Sequence, residues 1–153
     1  IPNAVYVIVG SGVYENELRV AVEKFGVKDK VLFVTDAVDN DLPLFYQSCD
    51  LFAMPCRELA NGDVEGFGIV YLEANLFGKP VVAGRSGGAA EAVIDGQTGL
   101  VVEPNDANAI AEALVALLTD EQRAKILGEA GRKRVVEQFD WKKQADKVRQ
   151  LLR

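Results

Sequence analysis

The stretch Glu65-Gly66-Phe67-Gly68-Ile69-Val70-Tyr71-Leu72-Glu73-Ala74-Asn75-Leu76-Phe77-Gly78-Lys79-Pro80-Val81-Val82-Ala83 reads as a glycine turn, an apolar helix and a strand in succession. From Phe67 to Gly78 the only polar side chains are Glu73, Asn75 and the phenol of Tyr71. An ionised carboxylate in such a run is costly to bury unless something hydrogen-bonds it. The plain reading is a partly exposed glutamate on an amphipathic helix. The residues around it support a different use. Glycine lets a ligand approach the backbone closely, and the helix would open its unpaired N–H groups at Gly66 to Gly68. Such a helix mouth binds anions. Glu65 stands directly before these glycines. A phosphate at the mouth, with carboxylates left to hold hydroxyl groups, points to a nucleotide sugar.

Working outward, strands and helices alternate. Leu51-Phe52-Ala53-Met54 is a strand ended by Pro55, and Pro80 to Ala83 is the next one. Upstream, Val5-Tyr6-Val7-Ile8-Val9 is a short continuous apolar run of the kind covered on both faces in parallel sheets. A helix is expected from Glu15 to Phe25, with Leu18, Val22 and Phe25 on one face. Val31 to Val34 is a strand and Asp41 to Ser48 a short helix. After the loop rich in glycine from Gly84, a helical turn near Glu91 to Val93 and a strand at Leu100 to Val102 are expected.

From Asp106 onward the chain reads as helical, with an apolar stripe of Ile110, Leu114, Leu117 and Leu118. Thr119 and Gln122 have capping-box spacing for a second helix. Asp140 can cap a last helix, with Trp141, Ala145, Val148, Leu151 and Leu152 at helical spacing. Trp141 is expected to pack rather than to stack on a ligand. The fold class is therefore α/β, a Rossmann-like parallel sheet with helices on both faces and a helical C-terminal tail. Ligands bind at the carboxyl ends of such strands. Gly10-Ser11-Gly12, the Pro55 to Gly68 segment and the Gly84 to Gly88 loop all follow strands.

Composition limits the function classes. With 153 residues and 49% hydrophobic content the chain fits a single domain that can bury a core, and it is too short for two ordinary domains. No linker, repeat or low-complexity segment marks an internal boundary. A net charge of −6 speaks against a nucleic-acid or anionic membrane surface as the main partner. Cys49 and Cys56 read as free thiols rather than a disulfide framework. There is no histidine, which removes a Ser-His-Asp triad and most zinc sites. The opening Ile1-Pro2-Asn3-Ala4 leads at once into an interior-type strand, and the expectation is a piece of a longer protein.

Other motifs carry less. Gly10-Ser11-Gly12 has Glu15 at the third glycine position of the dinucleotide fingerprint, so it marks a tight turn near a nucleotide rather than an NAD site. Gly84-Arg85-Ser86-Gly87-Gly88 lacks the Lys-Ser/Thr of a P-loop and reads as a close backbone turn. Arg57 either meets a phosphate bidentately or is an exposed ion-pairing arginine. Cys56 has no histidine to activate it and is read as inert. Basic residues between Lys125 and Lys147 read as solvated helix faces.

Glu65 and Glu73, at the ends of the stretch Glu65 to Glu73, together resemble the signature of the retaining glycosyltransferases of family 4. So do Gly78-Lys79-Pro80-Val81-Val82-Ala83, Ser86-Gly87-Gly88-Ala89-Ala90-Glu91-Ala92-Val93 and Asp95-Gly96-Gln97-Thr98-Gly99-Leu100-Val101-Val102. Phe52 to Arg57 with Asp63 to Glu73 is similar to bacterial phosphatidylinositol mannoside mannosyltransferases, which use GDP-mannose. The resemblance covers nearly the whole chain. It implies the C-terminal, donor-binding domain of a GT-B enzyme, lacking its first strand-helix unit and the N-terminal acceptor domain.

Carried over, the resemblance gives Glu65 the catalytic position, against hydroxyls of the transferred sugar, with Gly66 and the Phe67 and Gly68 amides on sugar or diphosphate and Ile69 nearby. Glu73 would accept from ribose hydroxyls, and Gly10 and Gly12 would admit the donor; Arg57, by its place just past the third strand, is counted with the donor-binding residues. Thr35 to Ala37 would lie near the base; Thr35 stands where many relatives carry glycine, so the base stays open. The implied reaction moves a hexose from GDP-mannose or a UDP-hexose to a hydroxyl acceptor, lipid or sugar, with retention. No cofactor and no metal are implied. The expected location is the cytoplasm, with peripheral attachment to the inner membrane face open for the full-length protein. The alternatives are a nucleotide-sugar epimerase of GT-B fold, a nicotinamide-dependent oxidoreductase, and a nucleotide-binding module without catalysis.

Overall fold

The computed structural model describes residues 1–151, the side chain of Lys147 excepted; Leu152 of the expected C-terminal stripe lies outside them. Strands and helices alternate as β1 (Tyr6–Val9), α1 (Glu15–Lys24), β2 (Val31–Val34), α2 (Leu42–Ser48), β3 (Phe52–Met54), α3 (Ile69–Leu76), β4 (Val81–Gly84), α4 (Ala89–Ala92) and β5 (Leu100–Val102). Three helices follow: α5 (Ala107–Thr119), α6 (Glu121–Gln138) and α7 (Trp141–Leu151). Every strand pairing is parallel, because the chain between paired strands is long enough to return to the same end of the sheet. The residues group into two compact units, Ile1–Phe45 and Tyr46–Arg153. The dividing point falls inside α2. No linker composition marks it, which is why the sequence reads as unbroken.

In the first unit β1 pairs with β2, with Tyr6 opposite Val31 and Val9 opposite Val34. The apolar run of β1 predicts cover on both faces, yet Tyr6 is 53% and Leu32 56% exposed. Two strands beside one short helix have too little partner surface to cover two faces. The expected α1 stripe is likewise open, with Leu18 and Phe25 exposed and Val22 half-buried.

The second unit holds the core. Its sheet runs β3-β4-β5, with β4 between its neighbours and Val81, Val82 and Ala83 fully buried. A strand flanked on both edges and both faces needs a continuous apolar run, and this one has it. Val82 and Val102 pack against Ala113, Leu117 and Leu127 from α5 and α6, with Ile110 and Leu114 partly buried beside them. Asn75, the second polar residue of the apolar helix, is buried for structural reasons. Its Nδ2 donates to the carbonyls of Lys79 (2.9 Å) and Thr98 (3.1 Å), tying the end of α3 to the approach of β5.

Asp106, Asp120 and Asp140 cap α5, α6 and α7 by accepting from backbone amides. The expected Thr119 cap is therefore one residue out. α5 extends through Thr119, whose hydroxyl donates back to the Val115 carbonyl at 2.7 Å. Trp141 does not pack: it is 81% exposed at the start of α7. No helix among the described residues is long and apolar enough to cross a membrane.

Candidate functional site

Two loops leave the carboxyl ends of β3 and β4, and their backbones interlock. The Gly88 amide donates to the Glu65 carbonyl at 2.9 Å. A Cβ at Gly87, where φ is +52°, would overlap that same carbonyl, and one at Gly88 would overlap the carbonyl of Gly66. The glycine loop is thus the close turn that the sequence suggested, and it forms the floor beneath Glu65 and Gly66. Ser86 contributes a buried hydroxyl with no partner among the described residues.

The mouth of α3 opens from this floor. Gly68 is its N-cap at φ +84°, a left-handed conformation that side chains resist. A Cβ there would strike the ring of Tyr71, which is fully buried and donates its hydroxyl to the Met54 carbonyl at 2.6 Å. Gly68 therefore has a packing reason to be glycine, independent of any ligand. Because the helix starts at Ile69, the open amides extend further than Gly66 to Gly68. Among the described residues nothing accepts from the amides of Gly66, Gly68, Ile69 and Val70. The Phe67 amide makes only a long 3.4 Å contact to Oε1 of Glu65. Unpaired amides and the positive end of the helix dipole favour a negative group here. Val70 was not among the residues expected at the site.

Glu73 lies one turn into α3 and is half-buried. Its Oε2 accepts from the Tyr46 hydroxyl at 2.8 Å, which answers how the carboxylate is tolerated in an apolar helix. Tyr46 is held by aromatic neighbours: it stacks on Phe77 at 5.9 Å and meets Phe52 edge-on at 5.7 Å. Burial, then the hydrogen bond to Glu73, pushes its phenol well above the ordinary range.

Around this centre, Arg57 is exposed and has no ion-pair partner among the described residues, so its charge is available. Burial, with the Glu65 carboxylate second, pushes the Cys56 thiol up and keeps it protonated, in line with an inert role. The Ile69 side chain is exposed, whereas Phe67 is half-buried and lies 5.8 Å from Phe139. Phe139 lies under Arg134 at 4.8 Å, and Arg134 donates to the Ala92 and Glu91 carbonyls at the end of α4. Arg134 is thus a structural exception among the basic residues read as solvated.

Arg57, Glu65, Gly66, Phe67, Gly68, Ile69 and Glu73 all belong to the second unit. Gly10, Gly12, Thr35 and Ala37 belong to the first. Gly10 follows β1 and its amide donates to the Val34 carbonyl at 2.9 Å; the Gly12 carbonyl accepts from Glu15 at the opening of α1. Thr35 and Ala37 follow β2. All four occupy the carboxyl-end side of their parallel pair, where α/β sheets bind ligands.

This combination of parallel strands, a glycine-floored helix mouth and paired glutamates belongs to a recognisable class. The family model described as "Glycosyl transferases group 1" matches residues 1–134, and the chain belongs to that family. It is 44% identical over 153 residues to the GDP-mannose-dependent alpha-(1-6)-phosphatidylinositol monomannoside mannosyltransferase of Mycolicibacterium smegmatis, covering 99% of this chain and 40% of that protein. The monoacylated-substrate counterpart from Corynebacterium glutamicum is 42% identical over 99% of this chain and 39% of its own length. The chain thus spans about 40% of the length of the curated relatives it matches.

Solved structures agree on the fold. Anabaena HepE in complex with UDP superposes with a TM-score of 0.90 at 27% identity, over 99% of this chain and 41% of that one. The C-terminal domain of a group 1 glycosyl transferase from Francisella tularensis gives a TM-score of 0.78 at 25% identity, over 92% of this chain and 72% of that chain.

Proposed function

We propose that this chain supplies the donor-binding half of a retaining hexosyltransferase. The protein would move a hexose from a nucleoside diphosphate sugar to a hydroxyl acceptor. The observation that carries the reading is the α3 mouth, where amides without acceptors among the described residues open onto a floor set by Gly87 and Gly88, with Glu65 at the lip and Glu73 one turn deeper. Anion and hydroxyl binding are both provided within one helix turn. GDP-mannose is the first donor to test, since the mannosyltransferase relatives are named for it; UDP-hexoses come next, since HepE is described with UDP.

In this reading the diphosphate lies against the amides from Gly66 to Val70. Glu65 accepts from hydroxyls of the transferred sugar, Glu73 from the ribose, and Arg57 adds positive charge as the diphosphate leaves. Gly10, Gly12, Thr35 and Ala37 keep the donor-side roles that the resemblance implies for them. Departure of the diphosphate develops negative charge, and fixed dipoles aimed at that charge lower the barrier without reorganising. The acceptor, lipid or sugar, would be held by residues outside this chain.

Thermal-shift titration with GDP, UDP, ADP and NAD tests the reading. The expected result is stabilisation by GDP or UDP and none by NAD. A preference for NAD would favour an oxidoreductase and end the transferase account.

A further inference from the structure

We infer that Tyr46 is a positioning residue for ribose recognition, fixing Glu73 so that one carboxylate oxygen is presented to the nucleotide. The inference rests on the reading above, in which Glu73 accepts from ribose hydroxyls. A carboxylate has about four lone-pair sites on two oxygens. In this chain Oε2 is engaged by the Tyr46 hydroxyl at 2.8 Å, while Oε1 accepts from no donor among the described residues. A phenol has one proton to donate, and that of Tyr46 is committed to Glu73. The ring itself is buried and cannot swing away, since it stacks on Phe77 and meets Phe52 edge-on.

A free glutamate on a helix samples several rotamers and extends its carboxylate to water. Here one oxygen is tethered from a neighbouring element and the other is left to accept, so rotamer freedom is lost before the ligand arrives. Pre-ordering of this kind strengthens binding by removing an entropy cost from the binding step. A purely structural pair would do without the free oxygen and would be indifferent to the ligand's hydroxyl groups. The positioning role predicts the opposite: the Tyr46 hydroxyl should matter only as far as the ribose hydroxyls are present.

The test is a calorimetric comparison on wild type, Tyr46→Phe and Glu73→Gln. The ligands are the better bound of GDP and UDP, and its 2′,3′-dideoxy counterpart. Tyr46→Phe keeps the ring and its packing and removes only the hydroxyl. The readout is the ratio of the two affinities on each protein, from which any change in folded fraction cancels. Wild type should prefer the ribonucleotide by roughly tenfold or more, the loss expected for hydrogen bonds to a charged acceptor. Both variants should bring that ratio to within about threefold of unity. Tyr46→Phe with the full wild-type preference, beside a Glu73→Gln that has lost it, would leave Tyr46 a packing residue and overturn this inference alone. A Glu73→Gln that keeps the preference, or a wild type that shows none or binds neither nucleotide, would remove the parent reading and the inference with it.

Discussion

At the residue scale, Glu73 carries two obligations that a single substitution can separate. If it serves the ligand, Glu73→Ala should weaken nucleoside diphosphate binding by about 1–3 kcal/mol, measured by calorimetry, with a smaller change in melting temperature. Large destabilisation with unchanged affinity would assign the residue to the fold. Gly68 cannot be used in the same way. A valine there is strained at φ +84° and would strike the buried Tyr71 ring, so Gly68→Val is expected to unfold the domain rather than merely block the site. Circular dichroism checks this, and a native spectrum with a wild-type melting temperature would contradict it.

The two phenols give a pH prediction. Burial is the main cause raising both Tyr46 and Tyr71 above the ordinary 10.0. In the unfolded chain these groups ionise near that value while the folded forms stay neutral. Their contribution is therefore complete below pH 10 and is lost as the pH rises beyond it. The denaturation midpoint should fall between pH 8 and pH 11, and should fall less in Tyr71→Phe. Equal losses in both proteins would contradict this account. Glu73 was legible because a charge stood alone in an apolar run. Tyr46 was not, since its partner lies 27 positions away and an aromatic residue on a short helix reads as core.

At the element scale, the interlocked loops and the bracket on α4 are the features that hold the site. Gly88→Ala would force the Gly84 to Gly88 loop away from the Gly66 carbonyl. Overpacking of this kind should cost about 1–3 kcal/mol and reduce nucleotide affinity in the same protein, read by thermal unfolding with and without GDP. Arg134→Leu removes two hydrogen bonds from the end of α4 and the cation above Phe139. A loss near 2 kcal/mol, or roughly 4–8 °C in melting temperature, is expected. An unchanged melting temperature would show that the bracket contributes nothing.

The sequence was most informative where local chemistry decides the outcome. Val31 to Val34 and Leu100 to Val102 are strands with those bounds, and Asp140 caps α7. It misled where tertiary packing decides. The run at β1 matches the type of β4, but among the described strands β4 has a neighbour on each edge and β1 on one. Thr119 is not the cap because α5 runs through it, which leaves Asp120, one residue on, to cap α6. Arg134 looked like any surface arginine because its acceptors are the carbonyls of Glu91 and Ala92, more than forty positions earlier.

At the scale of the whole molecule, the family assignment stands on residues 1–134 and on relatives matched along 99% of the chain, whereas the activity we propose is that of a longer protein. The chain spans about 40% of the relatives it matches. Holding an acceptor in line with the anomeric carbon can supply about 7–11 kcal/mol of a barrier, and in our reading that task falls to residues outside the chain. We therefore predict no measurable transfer from GDP-mannose or UDP-glucose by these residues alone, and transfer once an acceptor-binding half is joined to them. Turnover by the chain alone at the rate of the joined protein would show that the acceptor site has been misplaced.

The central claim is that the donor sits at the mouth of α3. Amide chemical-shift mapping by NMR, with GDP-mannose titrated into the isotope-labelled chain, tests it most directly. The account predicts the largest saturable shifts at the amides of Gly66, Phe67, Gly68, Ile69 and Val70, accompanied by Glu73 and Gly88. Saturable shifts that leave these amides untouched, and gather instead elsewhere on the chain, would contradict it.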